Sequence, residues 1–261
     1  MGSTVSLTGT INFRDVGGVP AGAGRRIAYG RLFRSDTLQF LTPEDVAVLV
    51  ETVGLRTDID LRLDFELDVE GRGLLGETDV AHAHLPFHVA GAHNPGSATP
   101  ILQADDPVVS HYVNYLGHSP QSVAGLITVL GQQEALPALV HCAAGKDRTG
   151  IAVAMVLAAV GCAVEDIAAE YAAGSHLMPA VMDRLRSMES YGESLARLPP
   201  EASLTPPEYI ERFFAAVDTE YGGPIDYLRQ HGVTDADLEA LSAALTEPIP
   251  PTATGNDNAT D

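Results

Sequence analysis

The chain has 261 residues, 45% of them hydrophobic, so it is long enough to bury a substantial core. Its formal net charge of −20 at pH 7 argues against nucleic acid as a partner and against long-range attraction to anionic membranes. No apolar run approaches the roughly 20 residues that a membrane span requires, and the N-terminus lacks the basic and apolar regions of a cleaved signal peptide. We expect a cytoplasmic protein with a single domain over residues 1–246.

The first part of the chain predicts short strands and one capped helix. Residues 5–11 alternate polar and apolar side chains, which favours a short edge strand, and residues 31–34 favour a second strand. Thr42 and Pro43 then have the spacing of a helix N-cap and a first helical residue. Residues 57–62 alternate again, which places three charged side chains on one face of a strand: Asp58, Asp60 and Arg62.

An acidic segment and a histidine-rich segment follow. Residues 64–70 predict a solvated helix, and residues 80–87 predict another strand. The histidines His82, His84 and His88 raise the alternative of a metal site. However, alternation places His82 and His84 on one sheet face, and neither a cysteine nor a paired carboxylate completes a ligand set. We therefore expect neither a metal nor another cofactor.

A tight loop in the middle of the chain joins a buried strand to a helix. Residues 136–140 are apolar and predict the strand, and residues 151–160 predict the helix. In such a loop, backbone N–H groups and the helix dipole converge on one point, which suits a phosphate-sized dianion. The residues expected to bind that anion are Ala143, Ala144, Gly145, Lys146 and Arg148.

Three side chains of this loop carry the expected chemistry. Cys142 opens the loop, where the helix dipole and Arg148 favour a thiolate, which is a nucleophile. Arg148 can hold two phosphate oxygens through its planar fork, and Thr149 can offer its hydroxyl to the sulfur as it leaves. The pattern favours a phosphatase. A sulfurtransferase and a non-catalytic phosphate-binding module are the alternatives.

The loop also contains the only lysine of the chain, Lys146, which favours a functional role over that of a solvated surface charge. The second cysteine, Cys162, follows the helix and is expected to be a small, half-buried side chain. A protective disulfide between Cys162 and Cys142 is the alternative, although the helix between them makes its geometry doubtful.

The remaining segments predict helices and a tail. Residues 177–198 are amphipathic and rich in methionine, which fits either core packing or a mobile lid over the active site, and this elaboration extends to residue 221. Residues 205–208 have the pattern of a capping box at the start of a helix. Residues 247–261 are almost free of apolar side chains, so we expect disorder there. Further helices are predicted over residues 106–116, 119–131, 164–173 and 234–245.

Strands that alternate with helices indicate an α/β fold with a central sheet flanked by helices on both faces. The loop that follows the strand of residues 136–140 would lie at the carboxyl end of that strand, where such sheets bind ligands. A glycine-rich and proline-rich loop is expected over residues 91–99.

Several motifs of the chain occur together in one family. The central loop reads His-Cys-x-x-Gly-Lys-x-Arg-Thr-Gly from His141 onwards, and residues 12–18, 30–35 and 60–62 read Asn-Phe-Arg-Asp-Val-Gly-Gly, Gly-Arg-Leu-Phe-Arg-Ser and Asp-Leu-Arg. With these motifs the chain resembles the atypical bacterial cysteine-dependent tyrosine and lipid phosphatases.

The resemblance implies a tyrosine-phosphatase-like fold and a phosphocysteine intermediate formed without a metal. It implies activity on phosphotyrosine, with breadth that extends to phosphoinositides. The expected partner is therefore a phosphorylated protein or small-molecule substrate. A phosphorylated small metabolite such as a nucleoside or sugar phosphate is the alternative substrate. The resemblance also implies that His141, Arg14 and Asp15 support the active loop.

The general acid is the point at which the sequence departs from the commonest family pattern. Most tyrosine phosphatases carry the acid on a Trp-Pro-Asp loop, but this chain has no tryptophan, and Asp105 and Asp106 lie at a predicted helix start. Two candidates remain. Asp147 lies inside the loop beside Arg148 and is favoured, and Asp60 is the alternative that the Asp-Leu-Arg motif suggests.

Overall fold

The computed structural model describes residues 5–88, 106–195 and 203–250. The strands of this part of the chain are β1 Arg14–Asp15, β2 Pro20–Ala21, β3 Arg25–Ile27, β4 Leu32–Ser35, β5 Thr57–Asp60, β6 Ala81–His84, β7 Ala138–His141 and β8 Thr246–Pro248. The α-helices are α1 Pro43–Ala47, α2 Asp64–Glu70, α3 Pro107–His118, α4 Pro120–Leu130, α5 Asp147–Ala159, α6 Val164–Ala172, α7 Met178–Arg186, α8 Gly192–Leu195, α9 Glu208–Tyr221, α10 Pro224–Gln230 and α11 Asp235–Leu245.

The central sheet has five strands in the order β1-β4-β7-β5-β6. Strands β4, β7, β5 and β6 are parallel, and only β1 runs antiparallel to its neighbour. The register places His141, the last residue of β7, opposite Ser35 on one side and Asp60 on the other. Because parallel strands end at the same edge, the residues that follow β4, β5 and β7 meet around the central loop.

Apolar residues cover both faces of this sheet. Alternate residues of β7 point to opposite faces, so Val140 packs in the larger core with α3 to α6 and α9 to α11, while Leu139 packs in the smaller core beneath α1. Helices therefore lie on both sides, and the predicted α/β fold with a flanked central sheet is confirmed. Within the described residues, none of the helices is long and apolar enough to cross a membrane.

The N-terminal segment does not form the predicted edge strand. Its backbone N–H groups bind carboxylates instead of a neighbouring strand: Thr8 and Gly9 donate to Asp45 at 2.7 Å each, and Ile11 donates to Asp36 at 3.0 Å. Alternation of polar and apolar residues thus gave the wrong structure here, because buried carboxylates satisfy the same donors as a ladder would.

The predicted tail begins too early. Residues Thr246–Pro248 form β8, which pairs antiparallel with β3 in a second, three-stranded sheet. The side chains of Arg25 and Arg26 hold this strand, through a 2.6 Å bond to Thr246 Oγ1 and a 2.7 Å ion pair with Glu247. Residues 251–261 of the predicted tail and the predicted loop of residues 91–99 lie outside the described residues.

The predicted amphipathic segment that begins at residue 177 is divided into α7 and the short α8. Its apolar residues Met178, Val181, Leu185 and Met188 are buried against Ala143 and Ala144 of the central loop. The segment therefore covers the loop as well as packing on it, and its movement as a lid stays a prediction.

The capping box predicted at residues 205–208 is wrong, because Pro207 is the N-cap of α9 and makes no side-chain cap. The hydroxyl of Thr205 instead binds that of Ser175.

Candidate active site

The loop between β7 and α5 has a shape that requires a glycine at position 145. Gly145 has a positive φ of 63°, which disfavours other residues. A Cβ atom placed there would lie 2.4 Å from the backbone oxygen of Ser35 and 2.6 Å from the backbone nitrogen of Asp36. The loop therefore packs directly on the backbone that follows β4, and only glycine fits this contact.

Three donors from the surrounding scaffold bind the carbonyl groups of this loop. The backbone N–H of Thr37 donates to Ala143 O at 2.9 Å. Asn12 Nδ2 and Arg34 Nη2 both donate to Gly145 O, at 3.1 and 2.7 Å. Asn12 Nδ2 also lies 3.4 Å from the carbonyl oxygen of Ala144. These contacts turn three successive carbonyl groups outwards, towards the scaffold.

In a trans peptide the N–H group points opposite to the carbonyl group. Outward carbonyl groups at three successive residues therefore turn the N–H groups of Ala144, Gly145 and Lys146 towards the interior of the loop. Helix α5 starts at Asp147 and adds the positive end of its dipole there. The result is a cradle for an anion, which we call the phosphate loop, residues 142–148.

Arg14 contacts a residue that binds the phosphate loop, and the supporting role that the motif resemblance implies stays a prediction. It donates to Asn12 Oδ1 at 2.5 Å and forms an ion pair with Glu170 at 2.9 Å. Glu170 also binds the buried Arg34 at 2.6 Å, so one carboxylate orients both arginines. Asp15 has a different position: it accepts bonds from the backbone of Gly17 and Gly30 at 2.8 Å each and stabilises that turn.

Cys142 lies at the bottom of the phosphate loop with 2% of its surface exposed. The neighbouring His141 is buried, with Nε2 3.0 Å from Asp58 Oδ1. Burial lowers the pKa of His141, but Asp60 and Asp58 outweigh burial and hold that pKa above its ordinary value. These two carboxylates therefore favour the protonated form of His141, the residue that precedes Cys142. The hydroxyl of Thr149 is buried and has no hydrogen-bond partner among the described residues, and its expected role towards the sulfur stays a prediction.

Asp60 is enclosed by cationic groups. The guanidinium of Arg62 binds both of its carboxylate oxygens, at 2.5 Å from Nη2 to Oδ2 and at 2.9 Å from Nε to Oδ1. Burial would raise the pKa of Asp60, but His141, His82 and Arg62 together hold it far below its ordinary value. Asp60 is also fully buried, so it is poorly suited to carry a proton to a substrate.

A carboxylate from the acidic segment of residues 64–70 holds the arginine of the phosphate loop. Glu66 lies on α2 as a helical residue, but only 3% of it is exposed, so the expected solvated position is wrong. It binds Arg148 with both oxygens, at 2.8 Å between Oε1 and Nη2 and through a second bond to Nη1. Burial would raise the pKa of Glu66, but Arg148 holds it below its ordinary value.

Glu66 also accepts a 2.6 Å bond from the backbone N–H of Leu63, the residue before α2. This is the place that a capping glutamate takes, three residues after the N-cap. The sequence signal for an inward-facing Glu66 was therefore its position relative to the helix start.

Asp147 lies at the mouth of the phosphate loop with 32% of its side chain exposed. Its Oδ1 atom accepts bonds from Lys146 Nζ and from the hydroxyl of Tyr112, each at 2.8 Å. Burial raises the pKa of Asp147, but Lys146, His111 and Tyr112 outweigh burial and hold that pKa below its ordinary value. Of the two carboxylates at the predicted helix start, Asp106 caps α3 by accepting from Val109 N at 3.2 Å, and Asp105 lies outside the described residues.

The sequence matches the profile of the tyrosine phosphatase family over residues 5–247. The chain belongs to this family. It is 30% identical over 231 residues, 84% of this chain and 80% of the relative, to a protein assigned as a tyrosine-protein phosphatase in Cupriavidus necator. It is 29% identical to the triple specificity protein phosphatase PtpB of Mycobacterium tuberculosis, over an alignment of 275 positions that covers 92% of this chain and 98% of the relative.

Among solved structures, the core catalytic domain of the PP-IP phosphatase SIW14 from S. cerevisiae aligns with 83% of this chain and 96% of its own, at 15% identity and a TM-score of 0.37. Family membership confirms the resemblance read from the motifs and the prediction of a cysteine-dependent phosphoric monoester hydrolase. The sulfurtransferase alternative is thereby set aside.

Proposed function

We propose that this phosphatase hydrolyses phosphate monoesters in two steps through a phosphocysteine at Cys142. The thiolate attacks phosphorus in line, and the bond from phosphorus to the leaving oxygen breaks while an acid protonates that oxygen. Water then attacks the phosphocysteine, the sulfur leaves as a thiolate, and the same residue takes a proton from the water. The observation that carries the proposal is the placement of Cys142 at the base of a cradle of inward N–H groups.

Arg148 is proposed to bind the transferring phosphoryl oxygens. A guanidinium has five N–H donors in a fixed plane, and Glu66 takes one from each terminal nitrogen. Nη1 also lies 3.5 Å from the carbonyl oxygen of Leu61, so Nε and the second N–H of Nη2 stay available to phosphate, while Glu66 keeps the plane of the fork fixed. Glu66 is thus a positioning residue that reduces the freedom Arg148 would otherwise lose when substrate binds.

Asp147 is proposed as the general acid. It is partly exposed at the mouth of the phosphate loop, whereas Asp60 is buried against Arg62. In the free enzyme the low pKa of Asp147 favours the carboxylate. A bound phosphate brings a like charge close to Asp147, which opposes ionisation and raises its pKa, so the acid is protonated in the substrate complex.

The proposed substrates are aryl phosphate monoesters, with phosphotyrosine in proteins as the principal class. Cys142 and Lys146 are 2% and 3% exposed, so a substrate must reach into the site to meet the sulfur, which favours a long, rigid aryl group over a short alkyl group. Phosphoinositides and phosphorylated small metabolites are the alternative substrates. Relative kcat/KM values for a phosphotyrosine peptide, a phosphoserine peptide, a phosphoinositide and a sugar phosphate would test the assignment.

We expect Asp147→Asn to slow phenyl phosphate far more than 4-nitrophenyl phosphate. A good leaving group departs without a proton, whereas general acid catalysis contributes roughly 10²- to 10⁴-fold for a poor one. The measurement is kcat/KM for a series of aryl phosphates of increasing leaving-group pKa, for the wild type and the variant. The loss should grow along the series.

The matched variant is Asp60→Asn, which removes the other candidate carboxylate. We expect its loss to be the same for every leaving group, because it acts through the buried Arg62 and His141. A leaving-group-dependent loss in Asp60→Asn, together with a uniform loss in Asp147→Asn, would move the acid to Asp60.

A further inference from the structure

A pair of buried tyrosines lies behind the proposed general acid. Tyr112, on α3, is fully buried, and its hydroxyl donates to Asp147 Oδ1 at 2.8 Å. Tyr171, on α6, is 2% exposed, and its hydroxyl lies 2.6 Å from that of Tyr112. Two helices that are far apart in sequence thus place two phenols in a hydrogen-bond chain that ends on Oδ1 of Asp147.

The donor and acceptor of each hydrogen bond in this chain follow from the number of O–H hydrogens. A phenol has one O–H hydrogen, and Tyr112 uses it on the carboxylate oxygen, which can only accept. Tyr171 must therefore donate to the oxygen of Tyr112. Burial, and after it the charge of Asp147, raises the pKa of Tyr112 well above its ordinary value, so this phenol stays protonated and remains a donor.

This hydrogen-bond chain makes the two carboxylate oxygens of Asp147 unequal. Oδ1 accepts from both Tyr112 and Lys146, whereas Oδ2 accepts no hydrogen bond from any described residue. A proton taken up by the carboxyl group is therefore favoured on Oδ2, because protonation of Oδ1 would compete with two donors. On donation, the charge that develops on the carboxylate is stabilised at Oδ1.

We propose that Tyr112, supported by Tyr171, is a positioning residue that holds Asp147 so that Oδ2 carries and delivers the proton to the leaving group. The inference rests on the proposed role of Asp147 as general acid and adds the residues that orient it. Without the Tyr112 hydroxyl, the contact from Lys146 Nζ to Oδ1 would be the one hydrogen bond from a described side chain that orients this carboxylate.

The same contact affects the charge of Asp147. Loss of the Tyr112 hydroxyl removes a donor to the carboxylate and raises the pKa of Asp147 towards the value that its burial favours. The titratable groups that face Asp147 are Lys146 and Arg148 in its own segment, His111, Tyr112 and Tyr115 from α3, and Tyr171 from α6.

The test is Tyr112→Phe, which keeps the ring and removes only the hydroxyl. We expect kcat for phenyl phosphate to fall by roughly tenfold, with little change for 4-nitrophenyl phosphate, because the misplaced acid matters only for a poor leaving group. We also expect the alkaline limb of kcat/KM to move to higher pH, since the free-enzyme pKa of Asp147 rises. Tyr171→Phe should change kcat for phenyl phosphate and the position of the alkaline limb in the same directions, and by less.

The matched control is Tyr227→Phe, because Tyr227 is also fully buried, but its hydroxyl donates to the carbonyl oxygen of Leu116 at 2.8 Å rather than to Asp147. This control variant should keep the wild-type dependence of kcat on the leaving group and the wild-type position of the alkaline limb of kcat/KM. A uniform loss for all substrates in Tyr112→Phe, with an unmoved limb, would overturn the inference. If Asp147→Asn itself shows no leaving-group dependence, the proposed acid fails instead, so the two failures are distinguishable.

Discussion

Cys142→Ser should lower kcat by roughly four orders of magnitude or more for every phosphate monoester. The serine hydroxyl is a far weaker acid than the thiol, and the phosphate loop stabilises an anion that serine does not supply near neutral pH. The remaining groups of the site are expected to keep their places, because the carbonyl groups of the loop are held by Thr37, Asn12 and Arg34 rather than by the sulfur.

Binding of a phosphate analogue should therefore survive this substitution. Tungstate affinity, measured by calorimetry, is expected to stay within about tenfold of the wild type, that is within about 1.4 kcal/mol. Cys162→Ser is the matched control, since Cys162 is the only other cysteine and lies beyond the far end of α5. It should retain turnover. Retention of more than about a tenth of wild-type kcat by Cys142→Ser would contradict the thiolate mechanism.

Arg148→Lys should lower kcat/KM by roughly 10³-fold, close to the loss on complete removal of the side chain. Lysine preserves the positive charge, so Glu66 does not become an unpaired buried carboxylate, but an ammonium cannot bind Glu66 and two phosphate oxygens in one plane. The measurement is kcat/KM for 4-nitrophenyl phosphate together with the affinity for inorganic phosphate.

Both quantities should fall together, because the guanidinium binds phosphate in the ground state and in the transition state. The control is Arg229→Lys, at an exposed arginine that pairs with Asp235 at 2.8 Å. Thermal unfolding would verify that Arg148→Lys remains folded. Activity within tenfold of the wild type would show that a point charge suffices at position 148.

The sequence predicted the centre of this molecule well. An apolar run, a loop with Gly145 and an apolar helix indicated a strand, an anion cradle and a helix start, and the structure has each of them. Such a unit is local, since the strand, loop and helix are contiguous. The capped helix beginning at Pro43 and the last helix, predicted over residues 234–245, were predicted for the same reason.

The residues that orient the site were harder to predict because they come from distant parts of the chain. Glu66 meets Arg148 across 82 positions, and Tyr112 meets Asp147 across 35. Periodicity gives the inward or outward face of an element, but it does not give the partner of a buried charge. A run of acidic residues looks solvated in the sequence, and only the fold shows which carboxylate is turned inwards.

The two charged residues of β1, Arg14 and Asp15, illustrate the same limit. The resemblance to the phosphatases implies that Arg14 supports the loop, and in the structure Arg14 binds Asn12 and Glu170. The neighbouring Asp15 matches the same motif but stabilises a turn. Adjacent residues of a strand face opposite ways, so a contiguous motif can contain residues with unrelated roles.

The central claim is that Cys142 carries the phosphoryl group during turnover, and trapping that intermediate tests it most directly. The enzyme would be mixed with 4-nitrophenyl phosphate, denatured within milliseconds and digested for mass spectrometry, in parallel with Cys142→Ser and Cys162→Ser. We expect a phosphoryl group on the peptide that contains Cys142 in the wild type and in Cys162→Ser, and none in Cys142→Ser. A phosphoryl group on any other residue, or on the same peptide in Cys142→Ser with turnover retained, would contradict the mechanism.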